Sequence, residues 1–239
     1  MNNNMNVKTG VVLPAGGKGV RFGGEMPKQF YSVGSQPLFM HSLDIFSAVP
    51  EIDEIVLVLP KPYIAKYASL QSRYEKLLIT EGGAKRWNSV QNGFYALSED
   101  IECILVHDVA RPFLPVSVIR RCLEKLRTHG NNVAALPVVD TTKYIENDLV
   151  TRTIDRKQLI SVQTPQSFTR EALLKVYTEL DPASGILQTD EACFVEAAGM
   201  DVYWVEGSPL LHKVTNQEDL AWAGWIENRI QSGEINLYD

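Results

Sequence analysis

Pro14 to Phe30, PAGGKGVRFGGEMPKQF, holds five glycines and three cations in seventeen residues, directly after a short apolar strand from Thr9 to Leu13. Glycine lets the backbone turn into positive φ and lets a bulky ligand come close to the main chain. A run of exposed backbone N–H groups makes an anion-binding nest, and Lys18, Arg21 and Lys28 add full charges to it. The stretch reads as a polyphosphate cradle, against the plainer alternative of a glycine-rich surface turn with solvated charges. A second constellation is HDVARPF, His107 to Phe113, at the end of an apolar run. Open α/β sheets bind ligands beyond the carboxyl ends of their strands. A carboxylate there, Asp108, is either a Mg2+ ligand or an acceptor for a ribose hydroxyl, with Arg111 as an anion clamp. The alternative is an Asp–Arg ion pair pinning a turn.

Two better-known phosphate loops are excluded. A Walker A loop needs Lys followed by Ser or Thr after its glycines, and none stands in that frame. The dinucleotide fingerprint needs a third glycine where this chain has Phe22, and it leaves the pyrophosphate to a helix N-terminus rather than to cations.

The elements that must carry these residues follow from the hydrophobic pattern. Gln36 to Val49 reads as a helix with Pro37 in its first turn. Glu54 to Leu59, EIVLVL, is the continuous apolar run of a strand covered on both faces. A helix is expected from Tyr63 to Lys76, a strand from Leu77 to Thr80, a helix from Arg86 to Leu97 and a strand from Cys103 to Val106. A helix from Val116 to His129 and a strand from Val133 to Val139 complete the alternation. It implies a Rossmann-like, doubly wound, mostly parallel α/β sheet. Between the Leu77 strand and its helix lies EGGAKRWNSVQNG, where Gly82 and Gly83 leave room for a flat ring and Ser89 turns its hydroxyl inward; a flexible turn is the alternative.

Asp140 to Arg156 alternates β-branched and polar residues around Glu146-Asn147-Asp148, a hairpin signal with a three- to four-residue turn. It has little core material of its own and should pack against something else. TPQSF, Thr164 to Phe168, either lines the site floor with Thr164 and Gln166 or is an extended connection to a Thr169-capped helix from Arg170 to Leu180. Thr189 is placed to cap the helix in QTDEACFVEAAG, with Asp190 and Glu191 in its first turn. A late strand, Asp201 to Val205, precedes EGSPLLHKVT and a last helix from Gln217 to Ile230.

The 239 residues suit one large domain, with the hairpin as an arm within it. A net charge of −6 argues against general nucleic-acid binding, though not against a local cationic pocket. No apolar run reaches membrane-span length, and MNNNMNVKTG lacks the apolar core of a signal peptide, so a cytoplasmic protein is expected. Cys103, Cys122 and Cys193 sit in apolar contexts and read as buried free thiols, with no Cys/His metal spacing.

GGKGVRF followed by PKQF resembles the signature loop of nucleotidyltransferases that make sugar- or polyol-nucleotides, above all the 2-C-methyl-D-erythritol 4-phosphate cytidylyltransferase family of isoprenoid synthesis. The resemblance continues over almost the whole chain. It implies CTP as substrate, held by Ala15, Gly16, Gly17 and Gly19 of the cradle, with Arg21 and Lys28 on the α-phosphate and leaving-group oxygens. GGxxRxxSV resembles the family's base-recognition loop, which turns Gly82, Gly83 and Ser89 to the cytosine. Ala84 stands where some relatives carry an acid, so backbone carbonyls would read the exocyclic amine. HDVARP matches the family's HDAARP except at Val109, and implies Asp108 for Mg2+ and ribose, with Arg111 for the acceptor's phosphate. The hairpin matches an arm exchanged between the two subunits of a homodimer, delivering Thr141 and Arg156 to the neighbour's site. Thr164 and Thr189 match further residues around the acceptor phosphate. Lys213 retains the phosphate-binding lysine of the family's N-x-K-V-T pattern, although Leu211 replaces its Asn.

The chemistry implied is attack by a phosphomonoester on the α-phosphorus of CTP, with pyrophosphate leaving. Such a dianion needs no general base; positioning and charge neutralisation carry the reaction. Ribitol 5-phosphate is the rival acceptor, and VVDTTK with IDR fits the methylerythritol enzyme better. A nicotinamide oxidoreductase is disfavoured by the missing third glycine. A catalytically dead nucleotide-binding regulator is disfavoured by the joint presence of Arg21, Lys28, Asp108 and Lys213.

Overall fold

The computed structural model describes residues 7–17, 22, 26–179 and 189–239. Strand β1 (Lys8–Pro14) runs into the glycine-rich loop. A small hairpin, β2 (Ser32–Val33) and β3 (Gln36–Pro37), turns on Gly34 at φ 62. Because Gln36 and Pro37 pair there, helix α1 begins only at Leu38 and ends at Ala48, with Pro37 at its cap rather than in its first turn. Strand β4 is Glu54–Leu59, as the apolar run dictates. The helix expected from Tyr63 to Lys76 is two pieces, α2 (Lys61–Tyr67) and α3 (Leu70–Arg73). Pro62 lets the first start early. The bonds Gln71 N to Ala68 O and Ser72 N to Ser69 O span only three residues and tighten the joint.

The alternation continues with β5 (Leu77–Glu81), α4 (Arg86–Ala96), β6 (Ile101–Val106), α5 (Val116–His129) and β7 (Asn132–Pro137). Strands β8 (Lys143–Glu146) and β9 (Leu149–Thr153) form the expected hairpin. Its turn is shorter than the sequence suggests: Asn147 and Asp148, at φ 46 and 66, make a two-residue connection whose twist matches the strands. Strand β10 (Ile160–Thr169) takes in TPQSF, so that segment lies in the sheet, with its register on β7 broken between Val162 and Gln166, around the cis Thr164–Pro165 bond. Thr169 Oγ1 accepts from Ala172 N at 3.2 Å and caps α6 (Arg170–Glu179) as expected. Helix α7 (Glu191–Ala197) is capped by Asp190, whose Oδ1 accepts from Cys193 N at 3.1 Å, and not by Thr189. Strand β11 (Tyr203–Glu206) and helix α8 (Gln217–Gln231) close the chain.

The main sheet has seven strands in the order β11-β7-β10-β6-β1-β4-β5. Strand β10 is antiparallel to both neighbours, and the other pairings are parallel. Alternate residues of the central strands enter opposite cores, because successive side chains of a strand face opposite ways. Val11, Leu13, Ile55 and Leu57 join α1, α5 and α8 on one face; Val12, Val56 and Val58 join α4, α6 and α7 on the other. The carboxyl ends of β1, β4, β5 and β6 therefore open along one edge between two helical layers. Strands β8 and β9 pair only with each other, and every one of their residues is exposed. Cys103 and Cys122 are buried thiols as expected, whereas Cys193 is partly exposed.

Candidate active site

A cleft of about 310 Å3 lies at that edge, lined among others by Ala15, Gly16, Gly17, Lys28, Gly83, Ser89, Asp108 and Lys213. Its first wall is the start of the glycine-rich loop, Ala15 to Gly17. Ala15 N donates to Val58 O at 2.9 Å, which continues the β1–β4 pairing past the strand's end. Gln29, buried, donates its amide to Ala15 O at 2.5 Å and Gly17 O at 2.9 Å, so the loop is tied back across its mouth. Its neighbour Lys28 donates to Val214 O at 2.5 Å.

The opposite wall is the β5–α4 turn. Ser89 Oγ accepts from Gly83 N at 3.1 Å and donates to Lys85 O at 3.3 Å. A Cβ on Gly16 would stand 2.9 Å from that hydroxyl, and one on Gly82 3.0 Å from it. The first is closer than a Cβ is found and the second is at the tight limit, so a side chain at either position would make the Ser89 hydroxyl or the wall give way by a few tenths of an ångström.

Asp108 stands on the floor. Its Oδ1 accepts from Arg86 Nε and Nη2, both at 2.9 Å, and its Oδ2 from Lys213 Nζ at 2.6 Å. The other edge of Arg86 donates Nη1 to Glu191 Oε2 at 2.6 Å. Burial works against the Asp108 carboxylate, but the charges of Arg86 and Lys213 outweigh it and hold the carboxyl well below its usual range. Burial pushes the Glu191 carboxyl up, against the pull of Arg86. Arg86 was given no role by the sequence. The arginine in GGxxRxxSV was the available signal.

Asp108 is held from behind by its own backbone. Burial pushes His107 down to about 4, so the ring is neutral. Its Nε2 lies 3.1 Å from Arg111 O and must carry the proton, because a carbonyl only accepts. Nδ1 then accepts from Thr164 Oγ1 at 3.1 Å, and Thr164 Oγ1 accepts from Asp108 N at 3.1 Å. Thr164 is thus engaged with the scaffold beneath the cleft. Arg111 is likewise turned away from the lining: Nη1 donates to Leu211 O at 2.6 Å and Nη2 to Val162 O at 3.4 Å. Gly82 packs behind the Gly16 wall. Thr141, Arg156 and Thr189 are exposed and do not line the cleft; Arg156 Nη1 donates to Val139 O. Gly19 and Arg21 lie outside the described residues.

Among the described residues, Asp108 is the one carboxylate lining the cleft, and no three His, Cys, Asp or Glu gather as a metal-holding group. A hard cation carried in on phosphate oxygens fits a single-carboxylate site of this kind; a cation held by protein ligands alone does not.

The family model of 2-C-methyl-D-erythritol 4-phosphate cytidylyltransferase matches residues 9–229. The chain belongs to this family. Among curated members, the cytidylyltransferase of Carboxydothermus hydrogenoformans is 37% identical over 231 residues, covering 95% of this chain and 99% of that one. A bifunctional IspD/IspF enzyme of Desulfotalea psychrophila is 37% identical over 216 residues, and there the chain spans about half of its relative, 55%. The crystal structure of 4-diphosphocytidyl-2C-methyl-D-erythritol synthase from Anaerococcus prevotii matches with a TM-score of 0.84 at 28% identity, over 94% of this chain and 97% of that one. The cytidylyltransferase of Thermus thermophilus matches with a TM-score of 0.75 at 30% identity, over 92% and 99%. Membership makes this cytidylyltransferase family chain a nucleotidyltransferase, and excludes the oxidoreductase reading of its sheet.

Proposed function

We propose that the cleft transfers CMP from CTP to 2-C-methyl-D-erythritol 4-phosphate, with release of pyrophosphate, in isoprenoid precursor biosynthesis. The observation that carries this reading is the convergence of a glycine backbone wall with Lys28, Asp108 and Lys213 in one cleft. An oxygen of the acceptor phosphate forms a bond to the α-phosphorus of CTP. The bond from that phosphorus to the bridging oxygen breaks, and its electron pair leaves with pyrophosphate.

Two polyanions must meet for this to happen, so cations aimed at the developing charge matter more than any proton transfer. Lys28 and Arg21 hold the α-phosphate and the leaving group. Ala15, Gly16, Gly17 and Gly19 offer backbone to the triphosphate, and Gly82, Gly83 and Ser89 take the cytosine. Lys213 exchanges Asp108 for the incoming phosphate, which frees Asp108 Oδ2 for a ribose hydroxyl or a cation. Mg2+ on the phosphate oxygens, with Asp108 as its protein carboxylate, would neutralise nucleotide charge.

Thr141 and Arg156 reach an acceptor only if the hairpin serves another subunit, and Arg111, Thr164 and Thr189 join them around the acceptor phosphate only by leaving the positions they hold here. The hairpin is self-paired, and Val139, Ile145, Leu149 and Val150 are all more than half exposed. An isolated hairpin of that kind is marginal in water, and its apolar surface suits a second copy of this chain. We therefore read the enzyme as a homodimer with composite sites. A cytoplasmic place agrees with the finding that, among the described residues, no helix is long and apolar enough to cross a membrane.

Pyrophosphate release is measured with CTP against a panel of polyol phosphates. Fastest turnover with methylerythritol phosphate is expected. Preference for ribitol 5-phosphate would reassign the acceptor, and no release with any polyol phosphate would overturn the reading.

A further inference from the structure

We propose that Glu191 is a positioning residue of the nucleotide site, acting through Arg86 on Asp108. The inference rests on the reading that Asp108 belongs to that site.

Glu191 is 1% exposed, and only one of its oxygens is used: Oε2 takes Arg86 Nη1 at 2.6 Å, while Oε1 has no hydrogen-bond partner. Burying a carboxylate so incompletely satisfied is costly, and apolar residues of similar volume commonly stabilise a fold better. Docking of α7 does not require it. Gln166 Nε2 donates to Asp190 Oδ2 at 2.7 Å, Gln166 Oε1 accepts from Ala192 N at 3.3 Å, and Ala192, Phe194 and Val195 are buried in the core. What the carboxylate alone supplies is a second anchor for Arg86.

A guanidinium is a rigid planar fork. With Nε and Nη2 on Asp108 Oδ1, it can still pivot about that single oxygen. Nη1 on Glu191 removes this freedom and keeps the fork on Oδ1, so that Oδ2 is left to Lys213 and the cleft. Without Glu191, the charge of Arg86, partly exposed in the cleft lining, would turn to the nearest other anion there, which is the triphosphate. Asp108 would then lose its fixed orientation as nucleotide binds.

The test compares Glu191→Gln, Arg86→Met and the double variant by calorimetric CTP binding, steady-state kinetics and thermal melting. Glu191→Gln is expected to weaken CTP binding and raise the KM for CTP on the order of ten- to a hundredfold, the usual effect of groups that orient a ligating side chain. The KM for the polyol phosphate and the melting temperature should stay close to wild type. In the Arg86→Met background the same change should have little further effect, since its route is gone. Wild-type CTP affinity in Glu191→Gln overturns the proposal, as does an undiminished effect in the Arg86→Met background. Should Glu191→Gln fail to fold, Glu191→Asp, which keeps the charge but shortens the reach, is read in the same way. Calorimetry reads the coupling even if wild-type enzyme releases no pyrophosphate, an outcome that would sink the reaction assignment alone.

Discussion

Asp108 and Lys213 lie 105 positions apart in the chain, yet their side chains meet at 2.6 Å. The lysine is brought there by backbone, not by chance of rotamer. Val214 N donates to Ala110 O at 2.8 Å, Arg111 holds Leu211 O, and Lys28 holds Val214 O. Three distant segments, the cradle, the end of β6 and the approach to α8, are thereby tied at one corner. A cation and a carboxylate so fixed can trade partners with a phosphate and a ribose without rearranging the sheet.

Lys28→Ala and Lys213→Ala should each lower the rate of pyrophosphate release by about 10²–10³, the loss typical of one preorganised charge. Lys28→Ala should leave the melting temperature near wild type, whereas Lys213→Ala removes a charge partner of the buried Asp108 and should lower it. Stopped-flow detection of pyrophosphate checks the first, and calorimetric melting the second. Wild-type turnover in either variant would remove that lysine from the mechanism.

Gly16→Ala should act on binding rather than on the fold. Its Cβ would stand 2.9 Å from Ser89 Oγ, pressing on the two walls proposed to hold the nucleotide. A misplacement of about 1 Å costs up to about a hundredfold in rate, so the smaller shift that relieves this contact should cost less than that. The KM for CTP, measured at saturating acceptor, should rise, while that for the acceptor stays nearly constant.

The composite-site dimer makes a complementation prediction. Lys28→Ala supplies an intact arm, and Arg156→Ala supplies an intact cleft. Each variant alone should be poorly active, and a refolded equimolar mixture should recover up to about a quarter of wild-type activity, from heterodimers with one intact site. No recovery from the mixture, with exchange of subunits verified by light scattering, would count against delivery of Arg156 in trans.

Asp219 gives a pH-dependent prediction. It accepts from Thr215 N at 2.7 Å, from Thr215 Oγ1 at 2.6 Å, and from Asn216 N and His212, so it folds the segment that carries Lys213. Burial opposes its charge, but these hydrogen bonds prevail and hold the carboxyl far below its ordinary 3.8. The unfolded chain therefore takes up the proton first. The stabilisation is present above about pH 4 and is lost as pH falls below the unfolded value. Asp219→Asn should flatten the acid limb of the stability profile, read by urea unfolding at stepped pH. An unchanged acid limb would show that Asp219 contributes nothing to it.

The sheet, the cradle and the hairpin were legible in the chain because their signals are local. An apolar run such as Glu54 to Leu59 has to be a covered strand whatever surrounds it, and glycines crowded after the first apolar run mark the loop that leaves β1. Asn147 and Asp148 announced a turn by composition, although not its length. Three-dimensional packing alone decided which polar side chains meet. Arg86 finds Asp108 across 22 positions and Glu191 across 105, Gln29 closes the cradle on Ala15, and Arg111 is drawn to the carbonyls of Leu211 and Val162. A hydrogen bond has a reach of about 3 Å, so its partner is set by where loops from separate strands come together, and no spacing in the sequence records that.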